Sequence, residues 1–142
     1  MAPSVVCHFC GMTWRVEHNS RSISATPTEV CAVAGDPEQL PHWAAGLSSG
    51  VRNESGRWIT ESPMGLVEVR FTGNIAAGIL DHDVVLPNGA VVHNPLRVLP
   101  NDFGSEVVFS LFQRDGMTDN DFVRDAETVS ADLDRLAAIF DS

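Results

Sequence analysis

His82 and His93 are the two residues of this sequence best suited to proton transfer. They flank Asn88-Gly89, which is the preferred central pair of a two-residue type I′ hairpin turn. Imidazole titrates near neutral pH and can act as an acid or as a base. If both rings face one cavity, they can move protons to and from an enolisable substrate, which is the chemistry of a cyclase or a dehydratase.

The turn predicts which residues of this hairpin oppose each other. A two-residue turn places His93 opposite Val84, so that His82 and His93 share one face as diagonal neighbours. Both faces carry apolar residues, so periodicity alone does not choose the inner one. Burial of the carboxylates of Asp81 and Asp83 costs far more than burial of neutral imidazole. We therefore place the histidines inward and the aspartates outward.

Three roles remain open for the two histidines. They can catalyse, they can line a cavity and orient a ligand, or they can lie in solvent if the face assignment is inverted. In the inverted case Asp81, Asp83 and Asn94 line the cavity as a carboxylate-type site. No third ligand accompanies the histidines, so we predict no metal site, and we expect no cofactor. Arg97 is expected at the sheet edge or the cavity mouth, where it can hold an acidic group of a ligand, although a solvated role is favoured.

The hairpin belongs to a series of strand-like patterns. The first spans about residues 14–25, and six more follow at 47–53, 57–61, 65–72, 78–86, 90–99 and 106–114. In the strand at 65–72, Val67, Val69 and Phe71 alternate with polar residues. This strand has one dry face and one wet face, which is typical of an antiparallel sheet.

Helix signals occupy the two ends of the strand series. Thr26-Pro27-Thr28-Glu29 is a capping box for a short helix, and Asp36-Pro37 begins a second one that carries Trp43. Thr118 caps a third helix of about twenty-three residues, roughly 34 Å long. Its apolar stripe consists of Phe122, Ala126, Val129, Leu133, Leu136 and Phe140. We expect this helix to lie across the concave face of the sheet.

Length and charge exclude several classes of protein. The chain has 142 residues, which suits one domain. Nineteen acidic and nine basic side chains give a formal charge of −10, so nucleic acid is not an expected partner. No run approaches the roughly 18 apolar residues of a membrane span. The first residues lack a secretory signal, so we expect a cytoplasmic location.

The start of the chain is expected to lie outside the domain. Met12 makes a plausible start, so residues 1–13 are predicted to be an N-terminal extension, with disorder as one alternative, and 14–142 to form the domain. Cys7 and Cys10 have the spacing of half a zinc site, but no second cysteine pair exists. Three cysteines are too few for a disulfide framework, which fits a reducing compartment.

Three segments resemble a known superfamily. The stretches at 26–30, 36–43 (Asp-Pro-Glu-Gln-Leu-Pro-His-Trp) and 109–118 (Phe-Ser-Leu-Phe-Gln-Arg-Asp-Gly-Met-Thr) are similar to the SRPBCC superfamily, specifically to its bacterial polyketide cyclase/dehydrase-like members. The resemblance implies the α+β helix-grip fold, in which a seven-stranded curved antiparallel sheet, two short helices and a long C-terminal helix enclose a cavity. It also implies a polyketide-, aromatic- or lipid-like ligand, but no shared catalytic motif.

These observations give one leading hypothesis and two alternatives. The leading one is binding of a small hydrophobic molecule, with cyclisation or dehydration by His82 and His93 as acid and base. The alternatives are a non-catalytic carrier or ligand-responsive protein, and a protein-interaction module related to chaperone cofactors. The oligomeric state is open, and a homodimer is compatible with the sequence. The residues expected to line the cavity are Trp43, Trp58, Val67, Val69, Phe71, Val84, Val91, Phe122, Val129 and Leu133.

Overall fold

The computed structural model describes residues 12–47 and 50–141. This part of the chain contains eight strands, three α-helices and three short 3₁₀ turns. The strands are β1 (Val16–Ile23), β2 (Val51–Glu54), β3 (Arg57–Ser62), β4 (Gly65–Phe71), β5 (His82–Val85), β6 (Val91–Asn94), β7 (Leu96–Asn101) and β8 (Gly104–Phe112). The helices are α1 (Pro27–Ala34), α2 (Leu40–Trp43) and α3 (Asp119–Ile139). Cys7 and Cys10 lie outside the described residues.

The strands form a curved antiparallel sheet in two hydrogen-bonded parts. β1, β8 and β7 make one part, and β2 to β6 make the other in chain order. The parts meet just before β5, where Leu80 N donates to Leu96 O at 2.8 Å and Val98 N donates to Gly78 O at 2.9 Å. A Cβ atom on Gly78 would lie 2.3 Å from the Val98 carbonyl oxygen, so this close approach requires glycine.

The predicted count of seven strands is wrong by one in the described chain. The predicted strand at 90–99 is two strands, β6 and β7, with Pro95 between them. Proline has no N–H to donate to a ladder, and it therefore ends a regular strand pairing. The Pro95 carbonyl still accepts a hydrogen bond from Ser110 N at 3.1 Å, which keeps this corner beside β8.

The hairpin between β5 and β6 turns through three residues rather than two. Leu86 N donates to Ala90 O at 2.8 Å, which leaves Pro87, Asn88 and Gly89 in the loop. The fixed φ of proline suits the first central position of a type I turn, and Gly89, with a φ of 86°, takes the left-handed position that follows. The predicted register of this hairpin is therefore wrong by one residue.

The C-terminal helix α3 confirms the prediction made from its caps and stripe. Asp121 N donates to Thr118 Oγ1 at 3.0 Å, and Thr118 N donates to Asp121 Oδ2 at 3.1 Å, which completes a capping box. The buried residues of α3 are Phe122, Ala126, Leu133 and Leu136. The helix packs against the sheet through this face, with β1 as its main neighbour. No helix within 12–47 and 50–141 is long and apolar enough to cross a membrane.

Candidate ligand-binding cavity

A largely apolar cavity of about 270 Å³ lies between the inner face of the sheet, α2 and α3. A wider cleft of about 430 Å³ adjoins it toward the junction of β8 and α3. The residues that line both spaces are Met64, Val84, Asn94, Phe109, Thr128 and Val129. The cavity and the cleft therefore form one continuous candidate binding space.

The strand register places side chains in rows on the inner face. Val69 pairs with Val84, and Val84 pairs with Val92, which makes an apolar row across β4, β5 and β6. Opposed residues of neighbouring strands share a face and lie about 4.5–5.5 Å apart at Cβ. This row forms part of the wall that faces α3.

The next row carries the polar groups of the wall. Phe71 pairs with His82, and His82 pairs with Asn94. All three side chains line the cavity. The polar neighbour of His82 across the strands is thus an amide and not the second histidine.

His82 is held as a neutral ring within aromatic surroundings. Its ring centroid lies 5.6 Å from that of Phe71 and 6.2 Å from that of Phe109. Burial lowers the pKa of His82, so the neutral imidazole is favoured. Nδ1 lies 3.0 Å from the Leu80 carbonyl oxygen, which can only accept, so Nδ1 carries the proton. The second nitrogen, Nε2, is then left with a free lone pair.

Two further polar groups at the cavity have unused hydrogen-bonding capacity among the described residues. The buried Nε1 of Trp43 has no hydrogen-bond acceptor there. The side-chain amide of Asn94 lines both the cavity and the cleft, and no described residue bonds to it. A donor at Trp43, an acceptor at His82 and an amide at Asn94 can each contact a polar group of a ligand.

Asp132 lies at the α2 end of the cavity. Its Oδ1 accepts a hydrogen bond from Ala45 N at 3.1 Å and also bonds Arg135. Burial raises the pKa of Asp132. These contacts attach α3 to the segment after α2, so Asp132 closes the cavity at this end.

His93 lies on the outer face of the hairpin, contrary to the predicted shared face. It pairs with Asp83 across the strands, and its Nδ1 lies 2.6 Å from Asp83 Oδ1. Its side chain is 53% exposed. The one-residue register shift caused by the three-residue loop reverses the direction of every β6 side chain relative to the prediction. His82 and His93 therefore cannot act together on one bound molecule.

Asp81 is buried on the outer face, at 8% exposure, although carboxylates were expected in solvent there. Arg97 Nε and Nη2 donate to its two oxygens at 2.8 and 2.7 Å, and Leu96 N donates at 3.0 Å. The Arg97 guanidinium holds the pKa of Asp81 below its ordinary value. Arg97 thus neutralises a buried carboxylate instead of lying at the cavity mouth, and neither Asp81 nor Asp83 is among the residues that line the cavity.

Most of the predicted lining residues face the cavity. Those that do are Trp43, Val67, Val69, Phe71, Val84 and Val129. Trp58 instead borders a surface depression beside His42, and Val91 is 53% exposed on the outer face because of the register shift. Phe122 and Leu133 are buried in helix-sheet contacts. Positions in the apolar stripe of α3 predict that a side chain is buried. They do not predict whether it packs against the sheet or lines the cavity.

Other lining residues were not predicted from the sequence. Met64 comes from the β3–β4 turn, and Arg114 from the connection between β8 and α3. The predicted strand at 106–114 included Arg114, but β8 ends at Phe112, and turns and connections have no periodicity that would indicate which way a side chain faces. Asn94 was expected to line the cavity only if the face assignment were inverted, and Pro87 favours the three-residue loop that turns Asn94 inward.

Within the described residues, no group of three or more His, Cys, Asp or Glu side chains is arranged to hold a metal ion. On the outer face, Arg97 forms an ion pair with Asp81, and His93 lies within 4.0 Å of both Asp81 and Asp83. Their arrangement is that of a charge network that stabilises the sheet.

Comparison with known proteins reveals likeness at the level of structure. No protein-family model matches the chain, and no curated protein matches it. Protein XoxI from Bacillus cereus has 16% identity and a TM-score of 0.70, over 88% of this chain and 94% of that one. The Aha1 dimer from Colwellia psychrerythraea has 11% identity and a TM-score of 0.71, over 89% and 96%. DynU16, from the dynemicin biosynthetic locus, has 12% identity and a TM-score of 0.67, and the match covers 89% of this chain and 47% of DynU16.

Proposed function

Because the chain has the helix-grip fold of the SRPBCC superfamily, we propose that it binds a small hydrophobic molecule between the sheet and α3. The observation that carries this proposal is an apolar cavity with a few polar groups whose hydrogen-bonding capacity is unused within the described chain. Ligand sites are mostly apolar, with a small number of polar groups that orient the ligand. The ligand is proposed to be polyketide-, aromatic- or lipid-like.

The size of the space supports this proposal. Ligand pockets commonly measure about 300–1,000 Å³. The cavity of about 270 Å³ is near the lower end, and the adjoining cleft of about 430 Å³ extends it. A ligand of one or two aromatic rings, or a medium-length alkyl chain, fits such a space. The occurrence of DynU16 in a biosynthetic locus is compatible with a small-molecule role.

The first experiment is native mass spectrometry of freshly purified protein, with denaturing extraction to identify any copurified molecule. Binding of Nile red, a neutral apolar dye, is measured by fluorescence in parallel. Val129→Trp fills the shared wall of the cavity and the cleft, and we expect it to abolish dye binding. Val123→Trp is the matched control, because Val123 lies on the same helix at 47% exposure.

Two results would contradict ligand binding. One is a protein that copurifies with nothing and fails to bind the dye, which would favour an interaction module. The other is dye binding that the Val129 and Val123 variants both retain at the wild-type level, which would show that the dye binds outside the cavity.

A second candidate function, proton transfer by His82, is favoured by its fixed tautomer. The Leu80 carbonyl holds the proton on Nδ1, and burial favours the neutral ring, so the Nε2 lone pair is available near neutral pH. A base in this position can remove a proton from carbon next to a ketone in a bound molecule. This replaces the predicted acid-base pair, because His93 lies on the other face.

Deuterium exchange into acetophenone tests this activity without knowledge of the natural substrate. Wild-type protein in D₂O is expected to accelerate deuteration of the methyl group, measured by mass spectrometry. His82→Gln should abolish the acceleration and retain Nile red binding, whereas His93→Gln should retain both. Exchange at the rate of buffer alone with the wild type would leave the protein as a non-catalytic binder for such ketones. Rates that are equal in both variants would show that His82 does not act.

A further inference from the structure

Arg114 is a half-buried cation in the cleft, and it forms no ion pair with any described residue. Its guanidinium donates to the carbonyl oxygen of His93, which is neutral. Burial lowers the pKa of Arg114, and Asp125 opposes that effect only through its field. A guanidinium has five N–H donors, so one carbonyl leaves most of them available. Charge removed from water without a partner destabilises a protein, and a bound anion would offset this cost.

The surroundings of Arg114 connect it directly to the proposed binding space. His93, whose carbonyl it contacts, precedes Asn94 in β6, and the Asn94 amide lines both the cavity and the cleft. Arg114 and Asn94 therefore both line the cleft, and Asn94 also lines the apolar cavity that adjoins it. A planar carboxylate can accept hydrogen bonds from a guanidinium and an amide at the same time.

Among the described residues that line the cavity and the cleft, Arg114 is the one permanent cation, and the carboxylates are Asp115, Asp125 and Asp132. Asp132 borders the α2 end of the cavity, and Arg114 borders the opposite end of the cleft. An amphipathic anion is thus favoured in one orientation, with its charged group toward Arg114 and its apolar part toward Phe71 and Val69.

We propose that Arg114 and Asn94 bind the carboxylate of the ligand, and that the ligand is an amphipathic monocarboxylate whose apolar part occupies the cavity. This rests on the proposed function, which it narrows to one chemical class.

Two acidic residues share the cleft with Arg114. Asp115 Oδ1 accepts a hydrogen bond from Trp14 Nε1 at 3.1 Å, which engages it with the start of the chain. Asp125 also borders the cleft and is exposed to solvent, and no described residue forms a hydrogen bond with its side chain. Its charge opposes binding of an anion, so its removal should strengthen binding of a carboxylate.

Decanoate and 1-decanol are matched probes for this proposal, since they share a chain and differ in charge. Competition with Nile red, or calorimetry, gives each Kd. Arg114→Gln should weaken decanoate binding by about 10-fold or more and leave decanol binding within about 2-fold. Arg114→Lys should recover part of the loss, and Asp125→Asn should tighten decanoate binding severalfold. Arg124→Gln is the control, because Arg124 is exposed on α3 and pairs with Asp121.

The outcomes separate this inference from the proposed function. If Arg114→Gln binds each probe with the same affinity as the wild type does, the carboxylate site is refuted, whereas binding in the apolar cavity is not. If neither probe binds the wild type, the proposed function fails. If Arg114→Gln weakens both probes alike, Arg114 supports the fold rather than the ligand, and the inference is overturned.

Discussion

The two faces of the β5–β6 hairpin differ in how their polar side chains are bonded. On the inner face, His82 is neutral, bonded to a backbone carbonyl and surrounded by aromatic rings. On the outer face, Asp81 forms a bidentate ion pair with Arg97, and Asp83 bonds His93. The charged side chains of the outer face are therefore bonded to other residues of the protein, whereas Nε2 of His82 on the inner face still has a free lone pair.

This contrast separates groups that stabilise the protein from groups that can serve a ligand. A buried polar group with complete hydrogen bonding contributes to the fold, and its removal costs stability. A group at an apolar cavity with a free donor or acceptor contributes less to the fold and can be used in binding. Variants of the outer face should therefore change unfolding, and variants of the inner face should change binding.

Asp81→Ala is expected to have the largest effect on stability. It leaves Leu96 N–H and the Arg97 guanidinium without their acceptor at the junction of the two sheet parts. Loss of one partner of a buried pair typically costs 3–5 kcal/mol, and because Arg97 is half exposed we expect about 3 kcal/mol. Urea unfolding measures the change, with Nile red affinity of the folded protein unaltered.

Asp83→Ala is the control for this prediction. Asp83 lies on the same face, but its partner His93 is half exposed, so the expected cost is well below that of Asp81→Ala. Equal destabilisation by the two substitutions would contradict the assignment of Asp81 as the central group of the outer network.

Protonation of His82 should make stability depend on pH on the acidic side of neutrality. Because its folded pKa is lowered from the ordinary 6.5, the unfolded chain binds the proton more readily. The stabilisation is complete above about pH 6.5 and is lost as the pH falls through the folded pKa, with a slope of up to ~1.4 kcal/mol per pH unit. Urea midpoints from pH 8 to pH 5 should fall more steeply for the wild type than for His82→Gln. Parallel curves would show that the ring is not buried in neutral form.

Gly89→Ala tests the turn that sets the two faces apart. Gly89 has a φ of 86°, and no atom lies within 4 Å of a Cβ placed on it, so the cost is backbone strain alone. We expect a loss of about 1 kcal/mol in urea unfolding. Ala90→Gly, at the residue that follows this loop, should cost less. A neutral Gly89→Ala would contradict the left-handed conformation at this position.

The elements with the strongest local signals were predicted well from the sequence. α3 combines a capping box at Thr118 with an apolar stripe over its whole length, and both are present in the structure. The dry side of β4 was also correct at Val67, Val69 and Phe71, which line the cavity. Capping and periodicity are local properties, and tertiary contacts only reinforce them here.

The errors in the strand count and in the hairpin register arose at two prolines. Pro95 divides one predicted strand into two, and Pro87 lengthens a predicted two-residue turn to three. The second error shifts the hairpin register by only one residue, but this shift moves every β6 side chain to the opposite face of the sheet. It replaced the predicted His82 and His93 pair by His82 and Asn94. Arg114 was placed at the end of the predicted strand at 106–114, but β8 ends at Phe112, so the strand pattern did not indicate its direction.

His93→Ala is expected to have the smallest effect, and it tests the comparison most directly. The His93 ring that contacts Asp83 is half exposed, so loss of this contact should cost about 0.5 kcal/mol in urea unfolding. Nile red and decanoate affinities should stay at wild-type values, because the ring lies outside the cavity. The Asn88-Gly89 pair also suits a two-residue turn, which would place His93 on the inner face. A large loss of ligand binding in His93→Ala would therefore indicate that the hairpin adopts this two-residue turn. His82→Ala provides the matched inner-face change and should alter binding more than stability.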